Sequence, residues 1–113
     1  MTRDQAKERW PHETELWFRA PHLAVIPGGE TLVALLSRAS AALRDILRRH
    51  PDGTVVLVGH DSVNRVLLLF ALELPLSRYW HLRQEPCAVN ELFFDDCSFI
   101  IGSINQTQHL SGL

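Results

Sequence analysis

Val55-Val56-Leu57-Val58-Gly59-His60-Asp61-Ser62-Val63-Asn64-Arg65-Val66-Leu67-Leu68-Leu69 joins two different periodicities across one glycine. Thr54 to Val58 is short, apolar and rich in β-branched residues, which predicts a strand buried on both faces, as in a parallel sheet. Gly59 ends that run, and His60 stands where the carboxyl end of the strand should meet a helix. Asp61 and Ser62 are both good N-cap types, so the helix is expected to start there and to run to about Glu73, before Pro75. Open α/β sheets keep their ligands at this junction, and a helix N-terminus offers N–H groups to an anion. A histidine placed there can hold phosphate or transfer a proton.

Upstream, Gly28-Gly29 opens a second amphipathic pattern. Leu32, Leu35, Leu36, Ala39, Leu43, Ile46 and Leu47 fall on one helical stripe, with Arg38, Arg44, Asp45, Arg48 and Arg49 on the wet side. Pro51-Asp52-Gly53 turns the chain into the strand. Downstream, Ser77 to Leu82 suggests a short helix carrying Tyr79 and Trp80. Two strands are expected near Val89–Phe94 and Phe99–Ile104, joined through Asp95-Asp96-Cys97-Ser98 as a hairpin. A short helix is plausible from about Arg3 to Arg9, ended by Pro11, and the rest of residues 1–27 reads as irregular. Trp10, Trp17 and Phe18 in that stretch suggest a loop that packs onto something else. Residues 105–113 read as a loose tail. Helix, strand, helix and hairpin make an α/β pattern within a single domain spanning 1–113.

The totals exclude several classes. The chain has 113 residues, 46% of them hydrophobic and 21% charged, with a net charge of −2. That is the profile of an ordinary globular domain with no basic character for nucleic acid or an anionic membrane. The polar N-terminus lacks the apolar core of a signal peptide, and the longest apolar run, Val66 to Leu72, is too short to span a bilayer. The expected compartment is the reducing cytosol. Cys87 and Cys97 do not make a disulfide framework. The histidines at 12, 22, 50, 60, 81 and 109 include no i, i+4 pair and no His-x-His cluster, so neither a metal nor another cofactor is expected. Gly59-His60-Asp61-Ser62-Val63 superficially matches a nucleophile elbow with Asp61 as nucleophile. That turn wants a small residue where Val63 stands, and no later histidine is placed to act as the base.

Four blocks in order carry a more specific signal. They are Pro27-Gly28-Gly29-Glu30-Thr31; Val58-Gly59-His60-Asp61-Ser62-Val63-Asn64-Arg65-Val66-Leu67; Leu76-Ser77-Arg78-Tyr79-Trp80; and Pro86-Cys87-Ala88-Val89-Asn90. In content and spacing they resemble the C-terminal half of the histidine phosphatase superfamily, the phosphoglycerate-mutase-like proteins, over nearly the whole chain. The resemblance implies a three-layer α/β/α sandwich, here partial, with a mixed, mostly parallel sheet and a C-terminal hairpin. It implies phosphomonoester hydrolysis through a phosphohistidine, which splits one difficult displacement into two easier ones. Catalysis of that kind rests on positioned cationic and N–H donors around the anionic phosphoryl group.

In the family, the nucleophile lies in an Arg-His-Gly motif near the N-terminus, followed by a second arginine and an acidic proton donor. A second histidine sits at a strand end in the C-terminal half, and only this one maps here, onto His60. The resemblance gives His60 a supporting catalytic role, donating a hydrogen bond to the phosphoryl oxygens with help from the main-chain N–H of Asp61. The expected ligand is phosphate or a small phosphorylated metabolite, with no nucleic acid or membrane partner.

No Arg-His-Gly triplet occurs in these 113 residues. His12, in Arg9-Trp10-Pro11-His12, lacks the glycine and any preceding buried strand. The chain therefore reads as a family domain truncated at its N-terminus, beginning just after the acidic donor. Glu30 reads as structural, either capping a helix or pairing with Arg65, and Arg65 reads as a paired structural arginine because an unpaired buried charge is costly. The two functional readings are a phosphatase and a non-catalytic phosphate-binding or interaction module. A strand at 54–58 without its family neighbour should leave an unpaired edge, which invites self-association.

Overall fold

The computed structural model describes residues 2–25, 28–95 and 98–111. Among the described residues four α-helices occur in chain order: α1 (Arg3–Arg9), α2 (Pro11–Arg19), α3 (Leu32–Arg49) and α4 (Asp61–Leu72). Three short 3-10 turns span Pro21–Leu23, Leu76–His81 and Gln108–Leu110. Strands β1 (Val89–Phe94) and β2 (Phe99–Gln106) pair antiparallel. No described helix is long and apolar enough to cross a membrane.

The core forms where the two amphipathic helices meet. α3 turns Leu32, Leu35 and Ala39 onto Val66 and Leu69 of α4, and Tyr79 closes the cluster at 1% exposure. The Thr31 hydroxyl caps α3 by accepting the Ala34 N–H at 3.2 Å, and Arg48 and Arg49 complement the dipole at its other end. The helix thus begins at Leu32, three residues after Gly29. Glu73, left-handed at φ 58°, stops α4 two residues before Pro75.

The hairpin boundaries of β1 match the sequence expectation, while β2 runs two residues longer than Ile104. Its register sets Leu92 opposite Ile101 and Phe94 opposite Phe99, with irregularities on either side of Glu91. The Asp95 N–H bonds the Ser98 carbonyl at 3.2 Å; Asp96 and Cys97 of the expected turn lie outside the described residues. An edge-to-face contact between Phe70 and Phe99, centroids 6.1 Å apart, ties the hairpin to α4. Residues 105–111 are more ordered than a loose tail, because His109 Nε2 bonds the Cys87 carbonyl at 2.9 Å.

Two further expectations fail. Residues 11–19 are helical, because Pro11 occupies the first helical position, where its missing N–H costs nothing. Proline opens this helix as well as closing the one before it.

The second failure concerns the sheet. The expected buried parallel strand at 54–58 is neither buried nor paired among the described residues. Val55, Val56, Leu57 and Val58 are exposed at 43%, 84%, 48% and 95%, and residues 53–60 carry no ladder. Between Gly53, whose N–H reaches the His50 carbonyl, and His60, whose carbonyl accepts from Asn64, no described backbone group of 54–59 is hydrogen-bonded. The chain is α/β, but the described sheet is two-stranded and antiparallel, not mostly parallel. β-branched composition favours extended backbone, yet a ladder also needs a second strand, and no described residue supplies one beside 54–58.

Candidate functional site

His60 is the N-cap residue of α4, with extended backbone at φ −99° and ψ 170°. It replaces the expected Asp61 or Ser62 in that place, and its side chain makes no capping bond, so the imidazole is exposed and uncommitted. The first-turn N–H groups of Asp61, Ser62 and Val63 have no acceptor within the helix. At Gly59 an added Cβ would stand 3.1 Å from Asn64 Oδ1, so the amide would have to give by a few tenths of an ångström, and 3.5 Å from Val63, an ordinary contact.

Arg65 fixes the geometry behind His60. Its side chain is 10% exposed, and its Nε donates to Asp61 Oδ2 at 2.8 Å. Its Nη1 donates to the carbonyls of Tyr79, at 3.3 Å, and Leu82. The guanidinium lies 5.4 Å from the Tyr79 ring and 5.0 Å from that of Trp80. Arg65 is therefore a paired arginine as expected, but its partner is Asp61 and not Glu30. The i, i+4 spacing of Asp61 and Arg65 carried that signal in the sequence. Neutralising the Asp61 carboxylate matters to the site, since an uncompensated negative charge beside His60 would repel an anion.

Ser62 Oγ and Tyr79 Oη are 2.8 Å apart, which pins the first turn of α4 to the Leu76–His81 turn. Burial pushes the Tyr79 hydroxyl above its ordinary value of 10.0, against a smaller opposite effect of the Ser62 bond. Trp80 Nε1 donates to the Trp17 carbonyl at 2.9 Å, and Phe18 stacks on Trp80 with centroids 5.4 Å apart. Trp17 and Phe18 thus cover the back of the site.

Glu30 lies elsewhere. It takes a two-pronged pair of bonds from Arg38, at 3.0 and 3.2 Å, and that partner holds its carboxyl below the usual range. Asn90 serves a structural purpose, since its amide exchanges bonds with Gln84 and accepts the Asn105 N–H at 2.9 Å. His12 sits on the exposed side of α2. Among the described residues no three His, Cys, Asp or Glu side chains converge as a metal site would require. An apolar groove of about 200 Å³ lies beside Gly59, lined by Ala39, Leu43, Leu57, Val63 and Leu67. A larger cavity of about 460 Å³, between α3, α4 and the hairpin, does not include His60 in its lining.

The histidine phosphatase superfamily (branch 1) profile matches residues 1–107. The chain belongs to that superfamily. Among curated relatives, this histidine phosphatase chain is 26% identical over 110 residues to phosphoserine phosphatase 1 of Hydrogenobacter thermophilus, covering 97% of the chain and 52% of that protein. It is 25% identical over 108 residues to a 5''-phosphoribostamycin phosphatase of Niallia circulans, covering 90% of the chain and 51% of the relative. It is 30% identical over 94 residues to a probable 2-carboxy-D-arabinitol-1-phosphatase of Arabidopsis thaliana, 83% of the chain and 19% of that protein. The solved structure of Bacillus stearothermophilus YhfR superposes with a TM-score of 0.90 at 25% identity, covering 96% of this chain and 55% of YhfR. The histidine phosphatase chain thus spans about half the length of several proteins it matches.

Proposed function

We propose that this chain carries the phosphoryl-binding half of a phosphomonoester hydrolase site. His60 is the second, phosphate-stabilising histidine in this reading. Its imidazole donates a hydrogen bond to a phosphoryl oxygen, and the main-chain N–H of Asp61 donates a second. The observation that carries the proposal is the free, exposed imidazole at the N-cap of α4, above N–H groups that still lack acceptors. Arg65 supports it by occupying the Asp61 carboxylate. In the whole family domain, hydrolysis proceeds through a phosphohistidine formed on an Arg-His-Gly histidine, in a three-layer sandwich with a mostly parallel sheet. The substrate class is a small phosphorylated metabolite, in keeping with relatives named as a phosphoserine phosphatase, a probable 2-carboxy-D-arabinitol-1-phosphatase and a 5''-phosphoribostamycin phosphatase.

A second reading has its own support. In it, these 113 residues, which hold no Arg-His-Gly triplet, act as a phosphate-binding module without turnover. Aryl phosphate hydrolysis and phosphate titration by NMR, each compared with His60→Ala, separate the two. Turnover lost in His60→Ala establishes the hydrolase. Absent turnover, with His60 and Asp61 resonances that shift with phosphate only in the parent chain, establishes the module. No shift at either residue refutes both.

A further inference from the structure

We propose that Ser62 is a third ligand of the phosphoryl group, donating its hydroxyl hydrogen to an oxygen beside those held by His60 and the Asp61 N–H. The role rests on the phosphate reading of the α4 N-terminus and adds a side chain which that reading leaves out. It follows from placing two hydrogens, one on Tyr79 and one on Ser62.

The two hydroxyl oxygens are 2.8 Å apart, a distance that admits either as the donor. Burial decides between them. Tyr79 is 1% exposed, and among the described residues Ser62 Oγ is the one hydrogen-bond partner of its hydroxyl. A phenol has a single hydrogen to give. If Tyr79 accepted from Ser62, that hydrogen would be stranded in the core, and a buried donor without an acceptor is costly. If Tyr79 donates, only lone pairs go without a partner, which protein interiors tolerate more readily. Tyr79 therefore donates and Ser62 accepts.

That assignment frees the serine hydrogen. A helical serine usually returns its hydroxyl to the carbonyl three or four residues back, which here means Gly59 or Val58. Among the described residues neither carbonyl receives it, because the bond to Tyr79 is the only one Ser62 Oγ makes. Ser62 is half-buried and stands between buried Tyr79 and exposed His60. It is the second residue of α4, and side chains of a helix lean toward its N-terminus. The first-turn N–H groups face the same way, toward any bound anion. A phosphoryl group brings three strong acceptor oxygens, more than one imidazole and one N–H can serve. The bond from Tyr79 already fixes the serine oxygen, so little side-chain freedom is lost when the ligand arrives.

Titration of inorganic phosphate into the full 113-residue chain, followed by the amide resonance of Asp61, tests the role of Ser62. Ser62→Ala alone would also strand the Tyr79 hydrogen, so Tyr79→Phe is the reference. That variant removes the bond but keeps the serine hydroxyl, and should weaken phosphate binding by about twofold. Adding Ser62→Ala to it removes the hydroxyl and strands nothing, and should weaken binding by about a further tenfold. Adding Ser62→Thr instead restores a hydroxyl and should stay within about twofold of the reference. Equal affinities with and without Ser62→Ala overturn the proposal, as does a threonine no better than alanine. Either result leaves the phosphate reading standing as long as Asp61 still responds. A parent chain in which Asp61 ignores phosphate overturns that reading and the serine ligand together.

Discussion

Replacing Arg65 with alanine tests the claim that one buried guanidinium holds the candidate site together. The substitution strips the carbonyls of Tyr79 and Leu82 of their donor and removes the cation from beside two aromatic rings. A buried acceptor left without a partner costs about 1–3 kcal/mol. Tyr79 is fully buried and Leu82 only half-buried, so the second carbonyl falls at the low end of that range. The lost ring contacts add roughly 0.5–1 kcal/mol. Asp61 contributes little, because its side chain is 51% exposed and regains water.

The expected loss is about 3–4 kcal/mol, a large share of the 5–15 kcal/mol typical of a domain. With a slope of roughly 1.5 kcal/mol per molar urea, the midpoint falls by about 2 M. Urea titration followed by far-ultraviolet circular dichroism reads this directly. Arg65→Lys keeps the charge but cannot reach Asp61 and both carbonyls from one ammonium, so it should lose an intermediate amount. Asp61→Asn should lose at most about 1 kcal/mol. An alanine variant within about 1 kcal/mol of the parent, or a lysine variant equal to it, refutes the account.

Tyr79→Phe removes the bond to Ser62 and should cost about 1 kcal/mol at neutral pH. The same variant changes alkaline behaviour. Since folding raises the hydroxyl above 10.0, its stabilising effect is complete below that value and declines as pH rises beyond it; the phenylalanine variant should lack this decline. The chain has one tyrosine, so tyrosinate absorbance reports this group alone, and titration at its ordinary value in the folded chain would contradict the burial argument. Thr31→Ala removes the N-cap of α3 and should cost about 1 kcal/mol by thermal unfolding, while Thr31→Ser recovers most of it.

Helices α1, α3 and α4 and the hairpin were legible because their signals are local. The stripe from Leu32 to Leu47 is one face of α3, and the break at Asp95–Ser98 separates two runs of strand formers. Residues 54–58 misled because side chains report a preference for extended backbone, whereas burial depends on what packs against it. Pro11 misled because proline ends one helix and begins another with equal ease. His60 was legible as the residue that leads into a helix, from Gly59 and the apolar helix after it; the strand expected before it was not found. Its supports were harder to see. Arg65 reaches Leu82 across 17 residues and Ser62 reaches Tyr79 across 17, and neither contact follows a helical or strand period.

The bond from Trp80 to the Trp17 carbonyl closes a loop of 63 residues. Bringing its ends together costs roughly 4 kcal/mol of chain entropy, more than one hydrogen bond and a few ring contacts return. The deficit shrinks only once α3 and α4 have collapsed on Tyr79 and shortened the effective span. On that accounting the N-terminal helices should dock last in folding and open first under stress, which amide hydrogen exchange of α2 against α3 would read. Local opening there would bare Tyr79 and Trp80, and with them the aromatic ground on which Arg65 rests, so the candidate site around His60 should loosen before the core melts.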